Sequence, residues 1–75
     1  MIEFLEIRGM IQRLIPGARV EVSDMTGTGD HFEILVVSKA FEGKPLMEQH
    51  KMVFAALEDE MKDRIHAVKL KTKVK

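Results

Sequence analysis

The chain contains no cysteine, no tryptophan and no tyrosine. Without cysteine there can be no disulfide staple, no thiolate metal site and no cysteine nucleophile, so any metal chemistry of this chain must use histidine, aspartate or glutamate. Without tryptophan and tyrosine it lacks rings on which nucleic-acid binders commonly stack bases. Net charge is missing as well: 12 basic residues balance 12 acidic ones, so there is no overall basic field to attract a polyanion. No apolar run approaches the roughly 20 residues needed to cross a bilayer. The first ten residues, "MIEFLEIRGM", carry acids where a secretory leader would carry basic residues. The expectation is a cytoplasmic protein with no membrane association.

What is present is an ordinary globular balance, 45% hydrophobic and 32% charged over 75 residues. That length suits one domain, spanning 1–75, with one small core; such a domain buries only about 60% of the surface its unfolded chain exposes, which leaves little room for a large enclosed cavity. The charge is unevenly spread. Residues 61–75 hold six basic side chains against Asp63, a net +5, so residues 1–60 carry −5.

The two prolines fall where elements should break. Phe4, Ile7, Ile11 and Leu14 recur at helical spacing until Pro16-Gly17 interrupts them, which predicts a helix over residues 2–14. "RVEVSDM" alternates, with Val20 and Val22 on one face, and "HFEILVVSK" follows as a more apolar strand; the short "TGTGD" stretch between them predicts an antiparallel hairpin. Leu46, His50, Val53, Phe54, Leu57 and Met61 trace one face of a helix beginning near Pro45. In "HAVKLKTKV", Val68, Leu70, Thr72 and Val74 share one side and the lysines the other, with His66 starting the apolar series. The order is helix, strand, strand, helix, strand. Right-handed crossover rules set the last strand parallel to the second, giving an α+β domain with a three-stranded mixed sheet and both helices on one face. Ile7, Ile11, Val22, Ile34, Val36, Val53, Leu57 and Leu70 are expected to share the core.

"DMTGTGDHF", residues 24–32, is the densest cluster of glycine, hydroxyl and charged residues. A phosphate loop normally leads into a helix, whereas this one leads into a strand and carries Asp30, which would repel phosphate. The plainer expectation is that Gly27 and Gly29 supply positive φ while Asp24 and Asp30 bond turn amides. Ser23 and Ser38 lack the context of a hydrolase nucleophile, and Glu58, Asp59, Glu60 and Asp63 read as a solvated helix face rather than a magnesium site. No catalytic residue is identified. His50, on the apolar stripe of the second helix, is expected to be structural and hydrogen-bonded to the backbone.

Several motifs in fixed order, "VEVSD", "HFEILVVSKAFEGKPLMEQHKMVFAALEDEM" and "IHAVKLKT", resemble the BolA family over roughly residues 19–72. Where the family has an Arg-His pair, this chain has Gln49-His50. The resemblance implies a class II KH-like fold, in agreement with the element order. It also implies a non-catalytic adaptor for iron–sulfur trafficking or iron and redox sensing. Such an adaptor pairs with a monothiol glutaredoxin and holds a 2Fe–2S cluster jointly with that partner and glutathione. On that resemblance His66 is a cluster ligand, and His31 is the hairpin's candidate for a second, although it lies later than the family's usual loop ligand. Imidazole in place of thiolate raises a cluster's potential and makes the bond sensitive to protonation.

The competing expectation is a KH-like, nucleic-acid-binding transcription regulator using Lys44, Lys51, Lys69, Lys71 and Lys73 to neutralise phosphates. The absence of tryptophan and tyrosine and the zero net charge weigh against it, and lysines on an edge strand also discourage pairing with other chains. Homodimerisation is a third expectation for the isolated domain.

Overall fold

The computed structural model describes residues 3–24, 31–62, 65 and 67–74. The expectations placed on Gly27, Gly29, Asp30, Asp63 and His66 therefore lie outside the described residues. Helix α1 runs Phe4–Leu14. Its first turn is closed by the Glu6 carboxylate, which accepts the Glu3 backbone N–H at 3.1 Å, a reciprocal arrangement that satisfies an otherwise orphaned donor. Pro16-Gly17 ends the helix, and Gly17 takes φ +81°, a left-handed conformation that side chains resist.

Strand β1, Arg19–Asp24, pairs antiparallel with β2, His31–Val37, in the register Val20↔Val36 and Val22↔Ile34. A single 3₁₀ turn at Lys39–Phe41 follows, capped by the Ser38 hydroxyl oxygen, which accepts the Ala40 N–H at 3.0 Å. Gly43, at φ +77°, then turns the chain towards helix α2, Leu46–Met61. Pro45 holds the cap position rather than the first turn, its carbonyl accepting the Glu48 and Gln49 N–H groups at 3.0 and 3.1 Å. Strand β3, Ala67–Lys73, lies parallel to β2, so the order is β1-β2-β3 with β2 central.

Burial along β2 alternates strictly. Phe32, Ile34 and Val36 are fully buried under the helices, whereas His31, Glu33, Leu35 and Val37 lie on the open face and are only partly covered. This is the α+β arrangement of a mixed sheet with one helical layer. The core joins Ile7, Ile11 and Ile15 to Val20, the buried β2 residues, Phe41, Val53, Leu57 and Ile65. Val22 and Leu70 pack against it while remaining partly exposed.

The stripe expected of α1 shifts at both ends. Phe4 and Leu14 are 46% and 57% exposed, and Ile15, just past the helix, takes the buried place instead. On α2 the buried line is Gln49, Val53 and Leu57, at steps of four, while Leu46 is 60% exposed and Met61 sits at the rim. Each apolar stripe is wider than the strip its neighbours can cover, and the sheet's position selects which part of it is buried.

Candidate functional site

The parallel ladder begins at the pair His31↔Ala67. His31 opens β2 on the open face of the sheet, partly buried, and adjacent strands in a sheet lie about 4.8 Å apart. His66, outside the described residues, immediately precedes Ala67 in sequence. Of the two histidines singled out in the sequence, the structure thus places only His31, which starts β2 opposite Ala67. Among the described residues no three His, Cys, Asp or Glu side chains converge on a point. Glu58 and Asp59 are exposed and Glu60 is partly so, as a solvated helix face requires.

His50 corrects the expectation made of it. Its Nε2 is buried without a hydrogen-bond partner, and its ring instead meets Phe54 edge-on, 6.3 Å between centroids. The physical reason is local: inside a helix the nearby carbonyls already accept i+4 amides, and the ring turns to its apolar neighbour. With Leu46, Met47, Lys51 and Phe54, His50 forms a shallow apolar patch on the outer side of α2.

Its neighbour Gln49, noted in the sequence only for standing where an arginine is usual, is buried and bonded at both ends of its amide. Nε2 donates to the Lys44 carbonyl at 2.8 Å, and Oε1 accepts the Thr72 hydroxyl at 2.6 Å. That clip ties the turn before α2 to the far end of β3. Its spacing of four residues from Val53 and eight from Leu57 was a further signal in the sequence.

The lysines divide. Lys51 lies beside Glu48 on α2 at 3.7 Å, and Lys69 reaches Glu33 on the open sheet face, also at 3.7 Å. Lys71 and Lys73 continue the exposed row on β3 opposite Leu35 and Val37, and Lys44 is exposed in the turn before α2. At that end of the sheet an open depression of about 530 Å³ is lined by Pro16, Gly17, Arg19, Val37, Ser38, Lys39 and Ala40. Ser38 is committed to capping, and Ser23 faces Glu33 across the hairpin with no histidine in register. No helix among the described residues is long and apolar enough to cross a membrane.

Residues 15–75 match the family model described as BolA-like protein. The chain is 57% identical over 53 residues to the protein BOLA2 of Arabidopsis thaliana, a stretch covering 69% of this chain and 56% of that relative. It thus spans little more than half of that relative's length. It is 43% identical over 68 residues to human BolA-like protein 2, covering 88% of this chain and 78% of the relative. A solved structure of a bolA protein homologue from Coxiella burnetii superposes with a TM-score of 0.82 at 33% identity, covering 99% of this chain and 92% of the other.

Proposed function

This chain belongs to the BolA-like protein family, and from that membership we propose that it is a non-catalytic adaptor that pairs with a monothiol glutaredoxin and shares a 2Fe–2S cluster with it. The observation that carries the reading is the strand register. His31 starts β2 directly beside Ala67, the residue that follows His66 in the sequence.

The donor set fits a shared cluster rather than a private one. A 2Fe–2S cluster takes four protein or thiol ligands, with histidine able to replace cysteine on one iron. This chain has no thiolate to offer, so the sulfur ligands would come from the partner's cysteine and its bound glutathione. His66 would ligate through one ring nitrogen, with His31 as the second candidate, and the other nitrogen of each ring would seek an acceptor that fixes its orientation. Bound there, the cluster would supply a one-electron, oxygen-sensitive group for transfer or sensing.

The nucleic-acid alternative gains no such support. Lys69 is engaged by Glu33, and Glu21 and Glu33 share the open face with the lysine row, so a polyanion laid across that face meets carboxylates as well as ammonium groups.

The test is reconstitution with a monothiol glutaredoxin, glutathione, iron and sulfide. His66→Ala should alter the visible absorption and dichroism of the complex and shorten cluster lifetime, even where the two proteins still associate. His31→Ala should do so to a comparable degree if it ligates, and much less if it only flanks the hairpin. Identical spectra and lifetimes for wild type and His66→Ala would exclude ligation by His66, and failure to bind any monothiol glutaredoxin would overturn the adaptor reading.

A further inference from the structure

Strand β3 ends the sheet, and no described strand lies beyond it. In a strand, alternate residues direct their backbone groups to opposite neighbours. The Lys73 carbonyl faces β2, where it accepts the Ser38 N–H at 3.0 Å. The residues of β3 that face outward are therefore Val68, Leu70 and Thr72, and their N–H and C=O groups form an open row. Side chains on the two faces of this edge differ sharply. On the helical face, Val68, Leu70 and Thr72 are half-buried, with no described strand beside them on the outer side; on the open face, Lys69, Lys71 and Lys73 are exposed. Among the described residues no carboxylate pairs with Lys71 or Lys73, and only Lys69 has a neighbour, Glu33.

We propose that the β3 edge is a docking edge for an extended protein segment that alternates acidic and apolar residues and adds to the sheet as a fourth strand. The occupant's chemistry follows from charge and from the pleat. Directly opposed side chains of neighbouring strands lie about 4.5–5.5 Å apart, so an added strand brings every second side chain beside Lys69, Lys71 and Lys73. Carboxylates belong there. The intervening side chains fall on the helical face beside Val68, Leu70 and Thr72, and apolar groups complete that half-covered surface.

A second copy of the chain is disfavoured, because self-pairing would set one lysine row against another, and like charges opposite each other destabilise a pair. Nucleic acid is disfavoured because Glu21 and Glu33 lie on the same face as the lysine row, where they repel phosphates. The edge does not depend on the cluster proposal: it involves neither histidine, and the test uses the protein alone.

The probe is a capped heptapeptide alternating glutamate and valine, titrated into the full chain at physiological ionic strength, with amide hydrogen exchange followed by NMR. Saturating peptide should slow exchange at Val68, Leu70 and Thr72 at least about tenfold. Reversing two charges, Lys71→Glu with Lys73→Glu, should weaken binding by about tenfold and transfer the preference to a lysine–valine peptide. If that variant fails to fold, Lys71→Ala with Lys73→Ala should weaken binding in the same direction and by less. Unchanged exchange at the three amides would overturn the proposal, as would equal binding of a backbone N-methylated peptide. Protection that appears with protein concentration alone would replace the proposal with self-association. Tighter binding of a single-stranded oligonucleotide that leaves the three amides exchanging freely would replace it with a nucleic-acid surface.

Discussion

Single side chains at two adjacent positions of α2 act in opposite senses. Gln49 is satisfied at both ends of its amide, by the Lys44 carbonyl and the Thr72 hydroxyl. Gln49→Ala leaves both partners without it in a poorly solvated place and should cost about 1–3 kcal/mol. Thr72→Val, which removes one partner, should cost less, and the two changes together should fall short of their sum because they share a bond. A double-mutant cycle in denaturant melts measures that shortfall, and strict additivity would mean that the 2.6 Å bond contributes nothing. His50 is the reverse case, a buried Nε2 with no partner beside an apolar patch. Since a buried unsatisfied donor or acceptor carries an uncompensated desolvation cost, His50→Leu should stabilise the fold by about 1 kcal/mol. A lowered denaturation midpoint in that variant would show that the imidazole has a hidden partner.

At the scale of elements, glycines in different backbone conformations should respond oppositely to the same change. Gly9 lies inside α1, where an added methyl group would meet nothing within 4 Å. Gly9→Ala should therefore stabilise the protein by roughly 0.5–1 kcal/mol, mainly by restricting the unfolded chain. Gly17 also has space around it, but its φ of +81° terminates α1, and Gly17→Ala should cost about 1 kcal/mol or more through left-handed backbone strain. Thermal melts of the two variants should move in opposite directions; a shift of the same sign in both would mean that side-chain space, not backbone conformation, controls these positions. The same local logic made the elements readable from the sequence. Pro16-Gly17 and the "EGKP" turn mark where periodicity changes, and "HFEILVV" alternates by residue type because alternate positions face the helices and the open side.

For the whole molecule, the proposed partnership predicts a linkage. Anything that binds the folded form alone raises its apparent stability by RT ln(1 + [L]/Kd), about 2.7 kcal/mol at a hundredfold excess over Kd. With a cluster-loaded glutaredoxin in that excess, the unfolding midpoint of this chain should rise accordingly, and His66→Ala should forfeit part of the increase. No concentration dependence of the midpoint would indicate that the two proteins do not form a stable complex. The family was legible in the sequence because its motifs are contiguous and ordered. The candidate site was only half legible, since His31 and His66 could be named in the sequence but the pairing of His31 with Ala67 could not.

Patterns spread over a few residues already determined a great deal: two amphipathic helices, three strands, the breaks between them and a chain unable to supply a thiolate to a metal. These depend on backbone periodicity and side-chain type, which act between neighbours along the chain. Tertiary structure alone decided which part of each apolar stripe is covered, so that Ile15 and Phe41 are buried while Phe4, Leu14 and Leu46 are left at the surface. It decided that Gln49 reaches Thr72, 23 residues away. It also set the register that pairs His31 with Ala67. Strand register is a relation between segments far apart in sequence, chosen by how the crossover helix packs its buried line onto the sheet, and no local pattern encodes that choice.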